Sequence, residues 1–114
     1  MKLFRALRSI LFVVAALLLT VAAFPAPNPP EGETLYKQKC AMCHAPDGKG
    51  YSAIKTPDFT SPKWQQSTSD KEITDTIKNG KPGTAMKSFS DQLKDDEIQA
   101  LLKYIRSLNS GKKK

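Results

Sequence analysis

The two cysteines and the single histidine of this 114-residue chain lie within five consecutive residues, Cys40-Ala41-Met42-Cys43-His44. Two thiols three positions apart on one helical turn are placed to bond the two vinyl groups along one porphyrin edge. The next residue then directs its imidazole toward the iron. This C-x-x-C-H pattern is typical of covalent c-type haem attachment. We therefore predict one haem c, bound through Cys40 and Cys43, with His44 as an axial ligand of its iron.

Three other kinds of site use a pair of cysteines at this spacing: a disulfide, part of a zinc site, or a thioredoxin-like redox pair. A zinc site needs four ligands, and two Cys and one His leave it one short without a carboxylate. A thioredoxin-like pair requires a βαβ context, which the sequence does not show. A disulfide across a two-residue gap contributes little stability, because the gain from loop closure grows with loop length.

The second axial ligand is predicted to be Met86. With His44 as the only histidine, ligation by two histidines of one chain is impossible. Met1 belongs to the N-terminal segment, and Met42 lies inside the attachment motif, from which it cannot reach the opposite haem face. Met86 follows a loop with two glycines and a proline, 80–86, whose backbone can approach a porphyrin closely. The alternative is that Met86 only fills the core, as most methionines do.

The N-terminus is predicted to be an export signal. Three basic residues, Lys2, Arg5 and Arg8, precede an apolar run over 10–23 that is short for a membrane-spanning helix. Small residues at the end of this run favour cleavage after Ala23, giving a signal peptide over 1–23. An uncleaved anchor is the alternative. Either way, the remainder of the chain is expected outside the cytoplasm, most simply in the periplasm.

Composition divides the rest of the chain into three parts. Four prolines in 24–30 exclude regular structure and indicate an extended spacer. The folded domain is predicted over 31–109, followed by a basic tail over 110–114. The formal net charge of +7 is concentrated at the two ends, because the middle holds twelve Lys or Arg against eleven Asp or Glu. A near-neutral domain of this kind gives no indication of nucleic-acid binding.

Helical spacing predicts three main helices. They cover 31–44, 69–79 and 95–108, and no segment resembles a strand. Ser69 and Glu72 form a capping-box pattern at the start of the second helix, and Gly80 marks its end. The segment 45–68 is a loop rich in Gly, Pro and Ser. So long a loop in so small a domain is expected to wrap a cofactor.

Residues 31–109 resemble the class I cytochrome c family, especially its small bacterial single-haem members. The resemblance is carried by Gly32-x-x-x-Tyr36, the C-x-x-C-H motif, the glycine-rich loop with Met86, and a last helix ending Leu101-x-x-Tyr104-Ile105-Arg106. It implies an all-α, cytochrome c-like fold with long loops around one covalent haem. It also implies that the first and last helices cross where Gly32 and Tyr36 meet Leu101 and Tyr104. Alternatively, Gly32 is only a turn residue.

Two weaker expectations follow from the same resemblance, and at one position this sequence differs from the family pattern. The carbonyl of Pro57 is expected to accept the free ring N–H of His44. Trp64 is expected either near a haem propionate or in the core. Lys87 follows Met86 where many members have proline, which puts the rigidity of this loop in question.

An iron held by His44 and Met86 has no open position, and the sequence suggests no catalytic base, nucleophile or substrate pocket. We therefore expect an electron-transfer protein and not an enzyme, cycling Fe(III)/Fe(II) between exported redox partners such as a reductase, oxidase or dehydrogenase. Exposed lysines such as Lys55, Lys81 and Lys87 would orient an acidic partner. The alternatives are a ligand-binding or peroxidase-like haem protein with an open sixth position, and a haem subunit of a larger oxidoreductase complex.

Overall fold

The computed structural model describes residues 3–4 and 31–112, and residues 31–112 form five α-helices. They are α1 (Gly32–Lys39), α2 (Ala41–His44), α3 (Pro62–Ser67), α4 (Asp70–Asn79) and α5 (Asp95–Ser107), with short 3₁₀ turns at Ser52–Ile54 and Ser110–Lys112. The described part contains no β-strand. The predicted all-α fold is therefore confirmed. Apart from Leu3 and Phe4, the predicted signal segment 1–23 and the spacer 24–30 lie outside the described residues.

Helix α4 begins and ends where the sequence predicts. The side chain of Ser69 caps it by accepting a hydrogen bond from the backbone N–H of Glu72, at 3.1 Å. Ile73 and Ile77, one turn apart, are buried. Gly80 ends the helix with φ of 76°, a left-handed conformation that favours glycine.

Helix α5 is the longest helix between residues 31 and 112, and it places Ile98, Leu101 and Ile105 in the core. Its first turn is acidic, as the helix dipole favours. The side chain of Glu97 accepts a hydrogen bond from the backbone N–H of Lys94 at 2.8 Å, which satisfies a donor just before the helix. The observed end, Ser107, lies one residue before the predicted one.

The prediction of one continuous helix over 31–44 is wrong, because the helix is interrupted at Cys40. The backbone N–H of Cys40 still bonds to the Tyr36 carbonyl, whereas those of Cys43 and His44 both bond to the Cys40 carbonyl. The helical ladder therefore restarts at Cys40, whose φ of −115° is outside the regular helical range. The break places Cys40 between the two helices and Cys43 on α2.

Helix α3 lies inside the segment 45–68 that was predicted to be a loop throughout. The side chain of Ser61 accepts a hydrogen bond from Trp64 N, and Pro62 occupies the first helical position, where its missing N–H is not needed. One side of this short helix is buried at Gln65.

No helix within the described residues is long and apolar enough to span a membrane.

The core is closed by the crossing of α1 and α5, as the family resemblance implies. A Cβ atom on Gly32 would overlap the carbonyl oxygen of Ala100 and lie 2.7 Å from its carbon, so only glycine permits this approach. The rings of Tyr36 and Tyr104 are 5.2 Å apart, and Tyr36 and Leu101 are fully buried. Gly32 is therefore a packing residue as well as the first residue of α1, although its closest neighbour is Ala100 and not Leu101.

Candidate haem-attachment site

The three residues of the C-x-x-C-H motif are brought together by the break between α1 and α2. Cys40 joins the two helices and is half-buried, while Cys43 and His44 lie on α2, Cys43 exposed and His44 half-buried. Both cysteines are free thiols in the structure. Within the described residues, no group of three or more Cys, His, Asp or Glu side chains is arranged to hold a metal ion, as a structural zinc site would require.

The two thiols differ in their surroundings. Burial, and secondarily the neighbouring Cys43, raises the pKa of Cys40 to about 11. Cys40 is packed against the hydrophobic core, whereas Cys43 faces solvent. Once the domain is folded, Cys40 is therefore the less reactive of the two thiols.

His44 presents a neutral imidazole. Burial lowers its pKa below the ordinary value, which favours the uncharged form whose nitrogen lone pair binds metals. Its Nδ1 atom is buried and has no hydrogen-bond partner, the single such side-chain atom within the described residues. The hydrogen bond between this ring and the Pro57 carbonyl, which the resemblance predicts, is not present among the described residues.

The ring of Phe59 stacks on the face of the imidazole. The two ring centroids are 4.7 Å apart and the planes are inclined by 20°, which is a stacked arrangement. The Phe59 ring also packs against the Trp64 ring, with 4.7 Å between the two ring centroids. Trp64 thus packs against the core, which agrees with one of its two predicted roles.

The hydroxyl of Tyr36 ties α1 to the chain just after the motif. It donates to the carbonyl oxygens of His44 at 3.2 Å and Ala45 at 2.9 Å. Ala45 has φ of 62° and ψ of 151°, a combination that residues other than glycine seldom adopt. Tyr36 therefore helps to hold the backbone in the sharp turn that ends α2.

Replacing Tyr36 with phenylalanine is expected to lower stability near neutral pH by about 1 kcal/mol, because both hydrogen bonds are lost. Burial, the largest cause, raises the pKa of Tyr36 well above its ordinary 10.0. The unfolded phenol ionises first, so the stability that Tyr36 contributes is complete below about pH 10 and falls as the pH rises further. Above about pH 10, the stability of the Tyr36→Phe variant should therefore fall less steeply with rising pH than that of the wild-type protein. Urea unfolding at several alkaline pH values measures the difference, and equal slopes in both proteins would contradict it.

Met86 lies in the loop between α4 and α5 and is half-buried against the same core as Cys40. Hydrogen bonds fix this loop on both sides of Met86. Its N–H bonds to the side chain of Thr84 at 3.2 Å, and its carbonyl accepts from Lys81 N at 2.9 Å. The hydroxyl of Ser88 donates to the Lys78 carbonyl at 2.6 Å. These bonds order the loop without a proline at position 87.

These residues fit a covalent haem c. The chain supplies two free thiols at the required spacing, a neutral imidazole directly after them, and a thioether on a separate, well-ordered loop. Cys40 and Met86 adjoin one continuous apolar core, which suits a porphyrin. The helices and this donor set together define a class I c-type cytochrome domain.

Comparison with known proteins gives the family. Residues 27–105 match the family model described as cytochrome c oxidase, cbb3-type, subunit III, and the chain belongs to this family. It is 29% identical over 82 residues to the cbb3-type oxidase subunit FixP of Bradyrhizobium diazoefficiens, and 30% identical over 86 residues to the subunit CcoP of Azospirillum brasilense. Each alignment covers 72% of this chain. It covers 28% of the length of the FixP subunit and 29% of the length of the CcoP subunit, so this chain corresponds to under a third of either relative.

A solved structure agrees with this assignment. The c-type cytochrome KustC0563 is 32% identical and superimposes with a TM-score of 0.65, over 69% of this chain and 98% of that one. The alignment therefore includes nearly all of that solved chain. The family implies covalent haem c with iron as the cofactor.

Sequence reasoning missed one residue beside the candidate site, Gln65. The amide of Gln65 is buried and donates to the carbonyl oxygens of Phe59 at 2.7 Å and Ile105 at 2.9 Å. The only local signal was the Ser61-Pro62 helix start, which would have placed a helix turn at this point.

Proposed function

We propose that this chain binds one haem c through thioethers at Cys40 and Cys43, with His44 and Met86 as axial ligands, and transfers single electrons between protein partners. The observation that carries the proposal is the pair of free thiols and the adjoining neutral imidazole at the α1–α2 break of a cytochrome c fold. When bound, haem c supplies a one-electron Fe(III)/Fe(II) couple.

The residues of the chain suit a carrier better than a catalyst. A neutral His44 and the thioether of Met86 are two uncharged axial ligands, and His/Met ligation raises the reduction potential. With both positions filled, no site is left for a substrate to bind. The apolar core beside the site (Phe59, Ile73, Ile77 and Leu93 are all buried) disfavours the extra charge of ferric iron and raises the potential further.

The test combines a pyridine haemochrome spectrum with intact mass, after expression together with haem-attachment machinery. We expect one haem per chain and a mass that exceeds the polypeptide by one haem. A double variant, Cys40→Ala with Cys43→Ala, should lose the covalent haem, whereas Met42→Ala, at an 86% exposed side chain between the two cysteines, should keep it. Colourless native protein, or a mass equal to the bare chain, would contradict the proposal. The same mass shows whether the N-terminal segment has been removed.

The partners are proposed to be redox proteins met outside the cytoplasm, most simply in the periplasm, in short-lived contacts. Three exposed lysines, Lys55, Lys81 and Lys87, are candidates for orienting an acidic partner. If the N-terminal segment stays uncleaved, it would anchor the domain to the membrane. A reaction rate between this protein and an acidic cytochrome or copper protein that falls with rising salt would support this part of the proposal.

A second candidate function is that of a haem subunit within a larger oxidoreductase complex. It is favoured by the names of the relatives, which are cbb3-type oxidase subunits. This chain spans 28% of the length of the first of them. The chemistry of the site is the same in both cases. Native purification decides between them, because a stable subunit would elute with its partners at moderate salt and a mobile carrier would elute alone.

A further inference from the structure

The C-terminal end of α4 binds the chain again just after Met86. An α-helix leaves its last four carbonyl oxygens without partners inside the helix. In α4, the Ile77 carbonyl accepts a hydrogen bond from the backbone N–H of Phe89 at 3.0 Å. The Lys78 carbonyl accepts a hydrogen bond from the hydroxyl of Ser88 at 2.6 Å. The loop that carries Met86 therefore starts at this helix end and is attached to it again two residues after Met86.

A second set of hydrogen bonds lies within the loop itself. The backbone N–H of Lys81 donates to the Met86 carbonyl at 2.9 Å, which joins the two ends of the segment 81–86. The hydroxyl of Thr84 donates to the Lys81 carbonyl at 2.7 Å and accepts from the Met86 N–H at 3.2 Å. Because both backbone polar groups of Met86 are bonded inside the loop, the position of Met86 depends on how the loop is attached to α4.

Gly80 lets the returning chain lie directly against the end of α4. A Cβ atom at this position would lie 2.8 Å from both the Met86 carbonyl oxygen and the Ser88 nitrogen, and 2.9 Å from the Lys87 carbonyl carbon. These are backbone atoms, so rotation of a flexible side chain cannot relieve the overlap. Gly80 also has φ of 76° and ψ of −179°, a combination that is essentially confined to glycine. The missing side chain of Gly80 thus sets the spacing between α4 and the backbone around Met86.

The restraint on Met86 comes from α4 and not from position 87. Lys87 does not fix its own φ angle as the ring of a proline would. Helix α4, in contrast, is anchored, because Ile77 is buried in the core and the helix packs against α5. The side chain of Lys78 also donates to the Asp95 carboxylate at 2.8 Å, which links the last turn of α4 to the start of α5. The loop is therefore attached to a fixed element.

We propose that Ser88 and Gly80 are positioning residues for Met86, which hold its loop against α4 and so keep the thioether in place as an axial ligand. This rests on the proposed function, because it concerns Met86 as a ligand of haem iron. Both residues act through Met86 and not on the iron itself. They determine how often the loop opens, and the fraction of molecules with an open loop sets the apparent affinity of the iron for a competing ligand.

The test is competition between Met86 and added imidazole in the ferric holoprotein. Imidazole replaces the thioether only when the loop is open, and its binding is followed by loss of the weak band near the red edge of the visible spectrum that marks methionine–iron bonding. Ser88→Ala removes one exposed hydrogen bond, so the apparent affinity for imidazole should rise about fivefold, the factor expected for one such bond. Ser88→Thr keeps the hydroxyl group and should bind imidazole as the wild-type protein does.

Ser110→Ala is the matched control. It removes a bond of the same kind, from a serine hydroxyl to the Thr60 carbonyl at 2.7 Å, in the turn that follows α5. Its imidazole affinity should equal that of the wild type, which separates an effect on the Met86 loop from a general loss of stability. Gly80→Ala should raise the affinity more than Ser88→Ala does, because the backbone around Met86 must move away from α4.

The outcomes separate this proposal from the proposed function. Wild-type imidazole affinity in Ser88→Ala, or an equal rise in Ser110→Ala, would overturn the proposal, and this pair of variants decides it even if Gly80→Ala does not accumulate as holoprotein. A wild-type holoprotein without the methionine–iron band would instead overturn the proposed ligation by Met86. Absence of covalent haem would overturn the proposed function as a whole.

Discussion

Replacing Met86 with alanine is expected to lower the reduction potential by a few tenths of a volt, within the roughly 0.8 V range that axial ligands set. The thioether favours the ferrous form, and its removal leaves one side of the iron open. The ferrous variant should therefore bind carbon monoxide rapidly, which the wild-type protein should not. Redox titration and carbon monoxide binding measure the two effects.

Met42→Ala is the matched control for this prediction. It removes the other methionine of the folded region, whose side chain is 86% exposed and lies between the two cysteines. Its potential and its carbon monoxide binding should match the wild type. Met86→His should restore a six-coordinate iron that excludes carbon monoxide, with a potential below that of the wild type. An unchanged potential in Met86→Ala would show that Met86 only fills the core.

Replacing Gly32 with alanine is expected to destabilise the domain by about 3 kcal/mol, the upper part of the usual range for overpacking. The added Cβ would overlap the carbonyl oxygen of Ala100 and lie 3.0 Å from the Cβ of Tyr104, so α1 and α5 must move apart. Helix propensity alone predicts the opposite sign, since alanine is the better helix former. Gly32→Val should destabilise the domain more.

Urea unfolding of the holoprotein, followed by circular dichroism, measures this loss. Gln38→Ala is the control, because it changes an exposed position on the same helix and should alter the midpoint little. If Gly32→Ala were as stable as the wild type, the close approach of α1 and α5 would not contribute to stability. Gly32 would then serve only to start α1.

Local patterns were sufficient to predict α4 and α5. The Ser69 cap and the Gly80 stop both act within a few residues of the chain, and the apolar spacing of α5 identifies its buried face. The C-x-x-C-H motif is equally local. The crossing at Gly32 required the family resemblance, since nothing in the local sequence indicates which helix faces this glycine.

The contacts around His44 were beyond sequence reasoning because they join distant parts of the chain. Phe59 lies on a loop fifteen residues after His44, and the Gln65–Arg106 bond joins residues 41 apart. No periodicity relates such pairs. The expected Pro57 bond was transferred from the family, and Nδ1 makes no hydrogen bond in the described structure.

The crossing of α1 and α5 joins the first and last helices of the described domain, and this has a consequence for synthesis. As the chain is made from its N-terminus, the segment holding Cys40 and Cys43 emerges well before α5 exists to cover α1. Throughout that interval both sulfurs are open to enzymes, and Cys40 lacks the burial that raises its pKa in the finished domain. If haem is attached as proposed, the topology leaves both sulfurs accessible before the final helix closes the domain.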